Sequence, residues 1–453
     1  MVRTTLRSQL ILACAGLTLA SCAHYTPKPI SDPGSAAVLQ APVAAVLSQQ
    51  ATEIDRPYLT PVSIDLSAPL NPNQIAIIAV LSNPDLKAMR ARAGVSDAQV
   101  FAAGLLPDPS FSLGIDEPVS GPPVAANIFS ALGFSLNSLR TRSVLREQAK
   151  ASNQQVRLDL AWAEWQISGN ARLQAVRVLE LRKALAIANA SETSARSLLS
   201  RYLRASGRGD IPADQVQSAR LSSIDAITSK QTTETSLIAA EYELRRLLGL
   251  PPDYDLALTP QVLPQRVVDS AKLFAFASKN RTDLRALQAG YDAQEAAVHK
   301  AVLDQFPTFD LTLTGTRDTG RSTLFGPAVG LTLPLWNRNR GGIAIERATR
   351  EALLAEYDAR LFQTRADIAA AIGGIDIARQ QRAAIMDGLP EIEKFALSTR
   401  RAAERGDLAM ATAEAAEQSV RDKQFLLVQI EQAIAEQMIA LELLVGAPQE
   451  AWN

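Results

Sequence analysis

The sequence predicts a mainly α-helical protein with a small β part, in which a strand–strand–long-helix unit occurs twice. In the second half, Val329, Leu331, Leu333 and Leu335 alternate with small or polar residues. This period of two is typical of a strand with one apolar face. A long helical pattern rich in alanine, leucine, glutamate and arginine follows from about Gly342. The same succession appears earlier in the chain, which indicates a tandem duplication.

Five pairs of short motifs occur in the same order in both halves, at an offset of 197 or 198 residues. Three pairs are 197 residues apart, namely Leu136 and Leu333, Gly209-Asp210 and Gly406-Asp407, and Gly249 and Gly446. Two pairs are 198 residues apart, namely Asp85 and Asp283, and Phe111 and Phe309. The first copy, residues 71–265, is expected to hold strands at about 109–116 and 129–137 and a helical hairpin at about 139–249. The second copy, residues 266–453, is expected to hold strands at about 308–316 and 325–335 and a hairpin at about 341–446.

The motifs in the two copies resemble those of a known family. The first copy contains Asn83-Pro-Asp-Leu86 and then Ala103-Gly-Leu-Leu-Pro107-Asp-Pro109, and the second contains Phe306-Pro307 and Gly330-Leu-Thr-Leu-Pro334-Leu-Trp336. With these motifs in this order, the chain resembles the outer-membrane efflux protein family, the TolC-like trimeric channel-tunnels, from about Asn71 to Pro448. The resemblance implies an exit duct that works with a periplasmic membrane-fusion adaptor and an inner-membrane efflux pump.

The N-terminus predicts export and lipid attachment. Two arginines precede an apolar stretch of about 11 residues, which is too short to span a bilayer, so residues 1–21 are expected to be a signal peptide. Leu19-Ala20-Ser21-Cys22 matches the bacterial lipobox, and Cys22 is therefore expected to carry a diacylglycerol and an N-acyl chain. The alternative is a signal peptide with a chance cysteine. Ala23 after the cysteine favours the outer membrane over the inner one.

Residues 22–70 are rich in proline, serine, alanine and glutamine and lack sustained periodicity. They are expected to form an extended tether between the lipid anchor and the body. Such a segment either wraps the body or remains a disordered linker, and composition does not separate the two alternatives.

Composition argues against nucleic-acid binding and catalysis. The chain has 46 basic and 47 acidic residues, so it has no basic surplus for nucleic acid. His24 and His299 are the only histidines, and neither has other ligand types at metal-binding spacing. No cofactor is expected apart from the lipid on Cys22. A zinc hydrolase or another enzyme is therefore disfavoured.

The four predicted strands require a partner if they lie in lipid. An open sheet there would leave edge N–H and C=O groups unsatisfied at several kcal/mol each, and three chains would give a barrel of twelve strands. Taken alone, the strands fit an ordinary half-buried sheet of a soluble protein equally well. In the barrel interpretation the side chains expected to face outer-membrane lipid are Phe134, Leu136, Leu331 and Leu333.

Each strand pair is followed by a very long helical pattern, from about Leu139 to Ser206 and from about Gly342 to Arg405. At 1.5 Å per residue these helices are about 95–100 Å long, and their heptad-like stripes indicate coiled-coil packing. The resemblance implies that they form a periplasmic α-helical coiled-coil barrel. The glycine-aspartate breaks predict hairpin tips, which by resemblance form the periplasmic end where the adaptor docks. The candidate tip or gate residues are Gly209, Asp210, Asp214, Gly406, Asp407, Glu414 and Glu417. The alternative is that these acids occupy ordinary solvated helix positions.

These observations favour a lipid-anchored homotrimeric outer-membrane channel that extends into the periplasm and serves a tripartite efflux system. It would conduct small molecules or metal ions without chemistry. A pore-less periplasmic coiled-coil structural lipoprotein is the alternative, because it would share the helical stripes. The sequence does not distinguish metals, drugs and secreted proteins as cargo.

Overall fold

The computed structural model describes residues 25–30, 39–117, 119–121, 124–260 and 269–452. The chain divides into two compact units, residues 1–41 and 42–453. In the first unit, the described residues contain no helix or strand. The predicted signal peptide and Cys22 lie outside the described residues.

The second unit begins with a short helix α1 (Ala44–Thr52) and then contains the duplicated unit. The first copy consists of α2 (Pro72–Ser82), α3 (Pro84–Ala103), β1 (Ser110–Asp116), β2 (Asn127–Ser135), α4 (Asn137–Gly207) and α5 (Ala213–Leu248). The second copy consists of α6 (Ser270–Asn280), α7 (Thr282–Leu303), β3 (Thr308–Arg317), β4 (Thr323–Thr332), α8 (Arg340–Glu404) and α9 (Met410–Val445). A 3-10 turn, Gln449–Ala451, follows. The mainly helical fold with a small sheet is confirmed.

In each copy, a side-chain hydrogen bond to a backbone carbonyl fixes the pair of short helices with which the copy begins. In the first copy, Asn83 caps α3 by accepting from the backbone of Leu86, and its Nδ2 donates to the carbonyl of Leu247 at 3.0 Å. In the second copy, Arg281 donates from Nη1 to the carbonyl of Leu444 at 2.8 Å. Each bond ties the break between two short helices to the end of the returning helix.

Both returning helices end at a glycine in the left-handed region, Gly249 at φ 64° and Gly446 at φ 79°. A side chain at Gly249 would place a Cβ 2.4 Å from the carbonyl oxygen of Ser82, and one at Gly446 would lie 2.9 Å from Cγ of Arg281. Positive φ and close approach together require glycine here. This explains why the two glycines are among the paired motifs of the sequence.

The four long helices pack side by side in the order α5, α4, α9, α8. Helices α4 and α8 have 71 and 65 residues, so they are about 107 and 98 Å long at 1.5 Å per residue. Helix α7 packs against both. An apolar cluster of α6, α8 and α9 holds the second copy together, with Leu273, Ile368, Ile375, Ile434 and Met438 among its members.

The predicted tether is a packed part of the second unit from Pro42 onward. Leu47 and Ala51 of α1 are buried, as are Ile54, Leu59, Ile64, Leu66 and Leu70 of the irregular segment that follows. Leu70 also forms a parallel bridge with Leu258, next to which its N–H donates to the carbonyl of Ala257 at 3.0 Å. Residues 42–70 therefore wrap the body and do not form a disordered linker.

Two predicted strand ends were wrong. Strand β2 ends at Ser135 and not at 137, because Leu136 already has helical dihedral angles as the N-cap of α4. Strand β4 ends at Thr332 and not at 335, because Pro334 has no N–H with which to continue a ladder. Leu136 and Leu333 thus lie one residue beyond their strands, although the N–H of Leu136 still donates to the carbonyl of Phe309 at 3.0 Å.

Candidate functional site

The sheet is antiparallel with strands in the order β1-β2-β3-β4. Because directly paired residues of antiparallel strands project to the same face, the register assigns every side chain. One face carries nearly all of the large apolar residues of the sheet. Its members are Phe111, Leu113, Ile115, Ile128, Leu132, Phe134, Phe309, Leu311, Leu313, Phe325, Pro327, Val329 and Leu331, with Ser130, Gly315, Arg317 and Thr323 among them.

The opposite face is small and polar. It consists mainly of serine, threonine, glycine and alanine, together with Asp116, Asn127 and Asp310, and its large apolar residues are Phe129 and Leu324. The ring of Phe129 covers Gly114, where a Cβ would lie 2.2 Å from Cζ. An apolar face backed by a small, polar one is the pattern of a lipid-embedded barrel with a water-filled interior.

Two of the four residues predicted to face lipid lie on the apolar face of the sheet. They are Phe134 and Leu331, with Leu311 and Phe309 as their partners on β3. Leu136 and Leu333 lie one residue beyond β2 and β4, outside the register. All four are exposed, so the apolar face has no cover among the described residues of the chain.

The sheet is open at both edges. In the part of the chain that the structure describes, β1 pairs only with β2, and β4 pairs only with β3. The N–H and C=O groups on the outer sides of β1 and β4 therefore have no backbone partner within these residues. Such edges pair readily with another chain.

The two predicted tips are turns of the same geometry. Gly209 and Gly406 have φ values of 80° and 84°. After each glycine the aspartate binds the arginine two residues earlier: Arg208 Nε lies 2.8 Å from Asp210 Oδ2, and Arg405 Nε lies 2.9 Å from Asp407 Oδ2. Both ion pairs are solvent-exposed and local to their turns.

Glu414 occupies a different environment from the tip aspartates. It is buried on α9, accepts a hydrogen bond from Ser194 Oγ of α4, and lies 3.1 Å from Arg400 Nη1 of α8. Glu417 lies 3.6 Å from the same Arg400 and 3.8 Å from Arg421. The hydrogen bond that Arg400 donates to Glu414 raises the pKa of Arg400. The network joins three long helices, and Glu414 is therefore not an ordinary solvated residue.

The remaining predicted tip acid, Asp214, lies in the first turn of α5 and is exposed. A carboxylate there is favoured by the helix dipole. The structure brings Glu414 and Glu417 together around Arg400, whereas Asp210, Asp214 and Asp407 do not join that network.

The sequence analysis missed two buried glutamates near the sheet-proximal half of α4. Glu164 lies 2.6 Å from Arg56 Nε and 2.7 Å from Arg90 Nη2. Burial raises the pKa of Glu164, but the hydrogen bonds from both guanidinium groups outweigh it, so the pKa is below its usual range. The one signal in the sequence was an acid between Trp162 and Trp165.

For Glu442 of α9, the effect of burial on the pKa is larger than the effect of its arginine partner. Glu442 is buried, and among the described residues the guanidinium that pairs with it is that of Arg172, whose Nη1 lies 2.7 Å away. Burial raises its pKa above the usual range, and Arg172 offsets this only in part. Glu442 and Arg172 also line a cleft of about 440 Å³ with Tyr58 and Glu450.

Two kinds of feature were not found among the described residues. No group of three or more histidine, cysteine, aspartate or glutamate side chains there is arranged to hold a metal ion. Among the same residues, no helical stretch combines the length and apolarity of a bilayer-spanning segment.

Residues 275–447 match the sequence profile of the outer membrane efflux protein family. No curated protein sequence matches the chain. The fold matches several solved outer-membrane proteins at low sequence identity, which indicates a shared fold.

The outer membrane protein VceC of Vibrio cholerae is 17% identical with a TM-score of 0.68, and the match covers 83% of this chain and 96% of VceC. The CmeC outer membrane channel of Campylobacter jejuni is 14% identical with a TM-score of 0.70, over 83% of this chain and 85% of CmeC. The open state of the MtrE outer membrane channel of Neisseria gonorrhoeae is 16% identical with a TM-score of 0.66, over 87% of this chain and 96% of MtrE. Over residues 275–447 the chain is therefore similar to the outer membrane efflux protein family, and its fold is that of these solved outer-membrane proteins.

Proposed function

We propose that the protein is the outer-membrane channel of a tripartite efflux system, a passive exit duct for small molecules or metal ions. The observation that carries this proposal is the continuity of a two-faced sheet with four long helices. A sheet with an apolar outer face suits lipid, and helices of about 100 Å have a length suited to crossing the periplasm. The duct moves cargo without chemistry, and the pump supplies the energy.

The open edges of one chain support a homotrimer. If β1 of one subunit pairs with β4 of the next, three chains close a twelve-stranded barrel and leave no edge in lipid. The helices support the same arrangement, because exposed large apolar residues concentrate on the two outer helices. They are Leu221, Ile224, Ile238 and Tyr242 on α5, and Ile345, Leu354, Phe362, Ile377, Met386, Phe395 and Leu397 on α8.

A groove near the tips supports docking of the periplasmic membrane-fusion adaptor. It has a volume of about 690 Å³ and lies between α4, α5 and α9. The residues that line it include the small residues Ala188, Ser191 and Ala195 of α4 and the acids Asp225 and Asp422. A groove lined by small residues suits an α-helix of a partner. An inner-membrane efflux pump would act through that adaptor.

Conductance in a planar lipid bilayer tests the function directly. The purified protein is expected to insert as a trimer and give discrete channels. A pore-less coiled-coil structural lipoprotein would give trimers or fibres without conductance. That result, obtained with correctly folded protein, would overturn the channel proposal.

The lipid anchor on Cys22 is also a proposal, supported by Leu19-Ala20-Ser21-Cys22. We expect Cys22→Ser to abolish incorporation of labelled palmitate, because the thiol is the acceptor of the diacylglycerol. Equal labelling of the wild type and the variant would contradict lipidation. Immunoblotting of cell fractions serves as the control that the variant is still exported.

For the tips, we propose that Glu414 holds the second hairpin closed against α4 and α8. We expect the double variant Asp407→Ala, Glu414→Ala to raise single-channel conductance and vancomycin sensitivity and to weaken block by multivalent cations. Removing the buried Glu414 leaves Arg400 without its closest carboxylate, which costs about 3–5 kcal/mol when such a pair is fully buried and less here, because the Arg400 side chain is 30% exposed. The exposed Asp407 pair is worth about 0–1 kcal/mol.

Single variants separate these contributions. Glu414→Ala alone should reproduce most of the conductance change, whereas Asp407→Ala alone should produce little. If a correctly assembled double variant conducted and was blocked like the wild type, the network around Arg400 would be structural only.

A further inference from the structure

The apolar face of the sheet ends where four connections join the strands to the helices. With the start of the two long helices included, these connections are residues 104–109, 136–142, 304–307 and 333–340, and we refer to them as the junction surface. Each of them exposes at least one large apolar side chain, and the exposed residues include Leu105, Leu106, Leu136, Phe306, Leu335 and Trp336. Trp336 is 86% exposed, so its indole ring lies outside the packed helices.

Two arginines of the junction surface lie at the start of α4. Arg140 donates from Nη1 to the carbonyl of Pro307 at 3.3 Å and from Nη2 to Asn137 Oδ1 at 2.6 Å. Arg142 donates from Nε to the carbonyl of Gly104 at 2.9 Å. These partners are neutral, so the positive charges of both arginines are not compensated by a carboxylate.

Two more arginines, Arg338 and Arg340, lie at the start of α8. Both are exposed, and in the described part of the chain neither side chain forms an ion pair or a hydrogen bond. Between them, Asn339 Nδ2 donates to the carbonyl of Ala301 at 2.9 Å, which holds this segment against α7. The two guanidinium groups are therefore carried by a fixed backbone and are open to a partner outside the chain.

Few acids oppose these four arginines. Asp108 is exposed in the first connection, and Asp310 lies on the small, polar face of β3. Asp304 is already paired with Lys300, whose Nζ lies 2.7 Å from Oδ2. The four arginines and the two remaining aspartates leave this end of the sheet with a surplus of two positive charges per chain.

The surplus is confined to this end of the sheet. Along α4 and α8 the next arginines, Arg146 and Arg347, each adjoin a glutamate in the sequence. The opposite end of the sheet, residues 116–127 and 317–323, contains two arginines and three acids. These residues are Arg317, Arg321, Asp116, Glu117 and Asp318. An anion near the sheet is therefore attracted to the junction surface and not to the far end.

Exposed tryptophan and leucine beside uncompensated arginine are the chemistry of a membrane surface. Tryptophan is enriched at the level of the lipid headgroups, and arginine binds phosphate through two parallel hydrogen bonds. We propose that the junction surface binds anionic phospholipids of the leaflet that faces the periplasm, with Arg338 and Arg340 at the phosphates and Trp336 among the headgroups. The inference rests on the proposed function, in which the sheet crosses the outer membrane and the long helices extend into the periplasm.

The test is lipid binding to the purified trimer in detergent, measured by native mass spectrometry. The trimer is titrated with dioleoyl phosphatidylglycerol, which is anionic, or with dioleoyl phosphatidylcholine, which has the same acyl chains and no net charge. The wild type should bind phosphatidylglycerol more tightly. The double variant Arg338→Gln, Arg340→Gln should weaken binding of phosphatidylglycerol by about ten-fold or more, because each arginine near an anionic surface contributes about five-fold, and should leave binding of phosphatidylcholine unchanged.

The matched control removes the same charge elsewhere. Arg220→Gln with Arg365→Gln changes two exposed arginines of α5 and α8 that lie outside the junction surface, and it should bind phosphatidylglycerol like the wild type. A wild type that binds the two lipids equally would overturn the inference. Wild-type affinity of the Arg338, Arg340 variant for phosphatidylglycerol would overturn it as well, and so would an equal loss in the control, because the effect would then follow net charge alone.

Conductance of the same preparations in a planar bilayer of phosphatidylcholine separates this inference from the proposed function. Trimers that conduct but show no preference for phosphatidylglycerol would overturn the lipid site and leave the channel intact. Trimers that prefer phosphatidylglycerol but do not conduct would overturn the channel proposal and leave the lipid preference of the junction surface in place.

Discussion

An arginine in place of Leu313 is expected to prevent most of the protein from assembling in the outer membrane. Leu313 lies at the middle of the apolar face, between Leu132 on β2 and Pro327 on β4. An arginine near the bilayer midplane on the lipid face of a barrel costs about 2–4 kcal/mol. In a homotrimer this cost is incurred three times, which exceeds what a marginally stable assembly can absorb.

Two companion variants test whether the effect depends on the face of the sheet and on the depth in the bilayer. Thr314→Arg changes the neighbouring residue, which projects to the small, polar face, and should assemble because the guanidinium can reach water. Leu331→Arg lies on the apolar face but next to the end of β4, where the cost falls to about 0–1 kcal/mol. The measurement is the fraction of membrane-extracted protein that migrates as a heat-labile trimer. Equal trimer yields for Leu313→Arg and Thr314→Arg would show that the apolar face does not meet lipid.

Much of the architecture could be predicted from the sequence because local signals repeat. The alternation before Pro334, the glycine-aspartate turns and the terminal glycines Gly249 and Gly446 each have a backbone cause that acts within a few residues. Two copies at one offset made each signal visible twice. Strand ends were less accurate, because Leu136 and Leu333 continue the apolar alternation although the backbone has already left the strand.

What could not be predicted depends on contacts between distant residues. Glu414 appears in the sequence as one of several acids after a turn, and only the packing of α9 against α4 brings it to Ser194, 220 residues earlier. Likewise, the composition of the segment 42–70 does not predict its order, which follows from apolar residues that meet surfaces formed later in the chain. Neither the pattern nor the spacing of residues carries that information.

Ion pairs also hold the wrapped segment, residues 42–70, against the helices, and we expect their loss to lower stability strongly. Arg56 from this segment and Arg90 from α3 converge on Glu164 of α4, whose carboxylate side chain is 3% exposed. Hydrogen bonds to a charged group are worth about 1.5–3 kcal/mol each. Because Glu164 serves both arginines, its loss weakens two attachments of α4 at once.

We therefore expect Glu164→Gln to lower the free energy of unfolding by about 2–3 kcal/mol at neutral pH, and Glu442→Gln to lower it less. The glutamine side chain at 442 can still accept a hydrogen bond from Arg172, and it replaces a carboxylate whose charged form is disfavoured by burial.

The two glutamates should also differ in how their effect on stability depends on pH. Because the pKa of Glu164 is lower in the folded state, its contribution to the free energy of unfolding is complete above the unfolded value of about 4.3 and is lost as the pH falls through the folded pKa. The raised pKa of Glu442 has the opposite sign, so its burial costs stability above the folded pKa and that cost disappears as the carboxyl protonates. Thermal unfolding of both variants by circular dichroism in detergent, at neutral pH and at about pH 4, measures the difference. If Glu442→Gln were the more destabilising variant at neutral pH, the assignment of opposite pKa shifts to these two glutamates would be wrong. The same conclusion would follow if the loss of stability in Glu164→Gln grew on acidification.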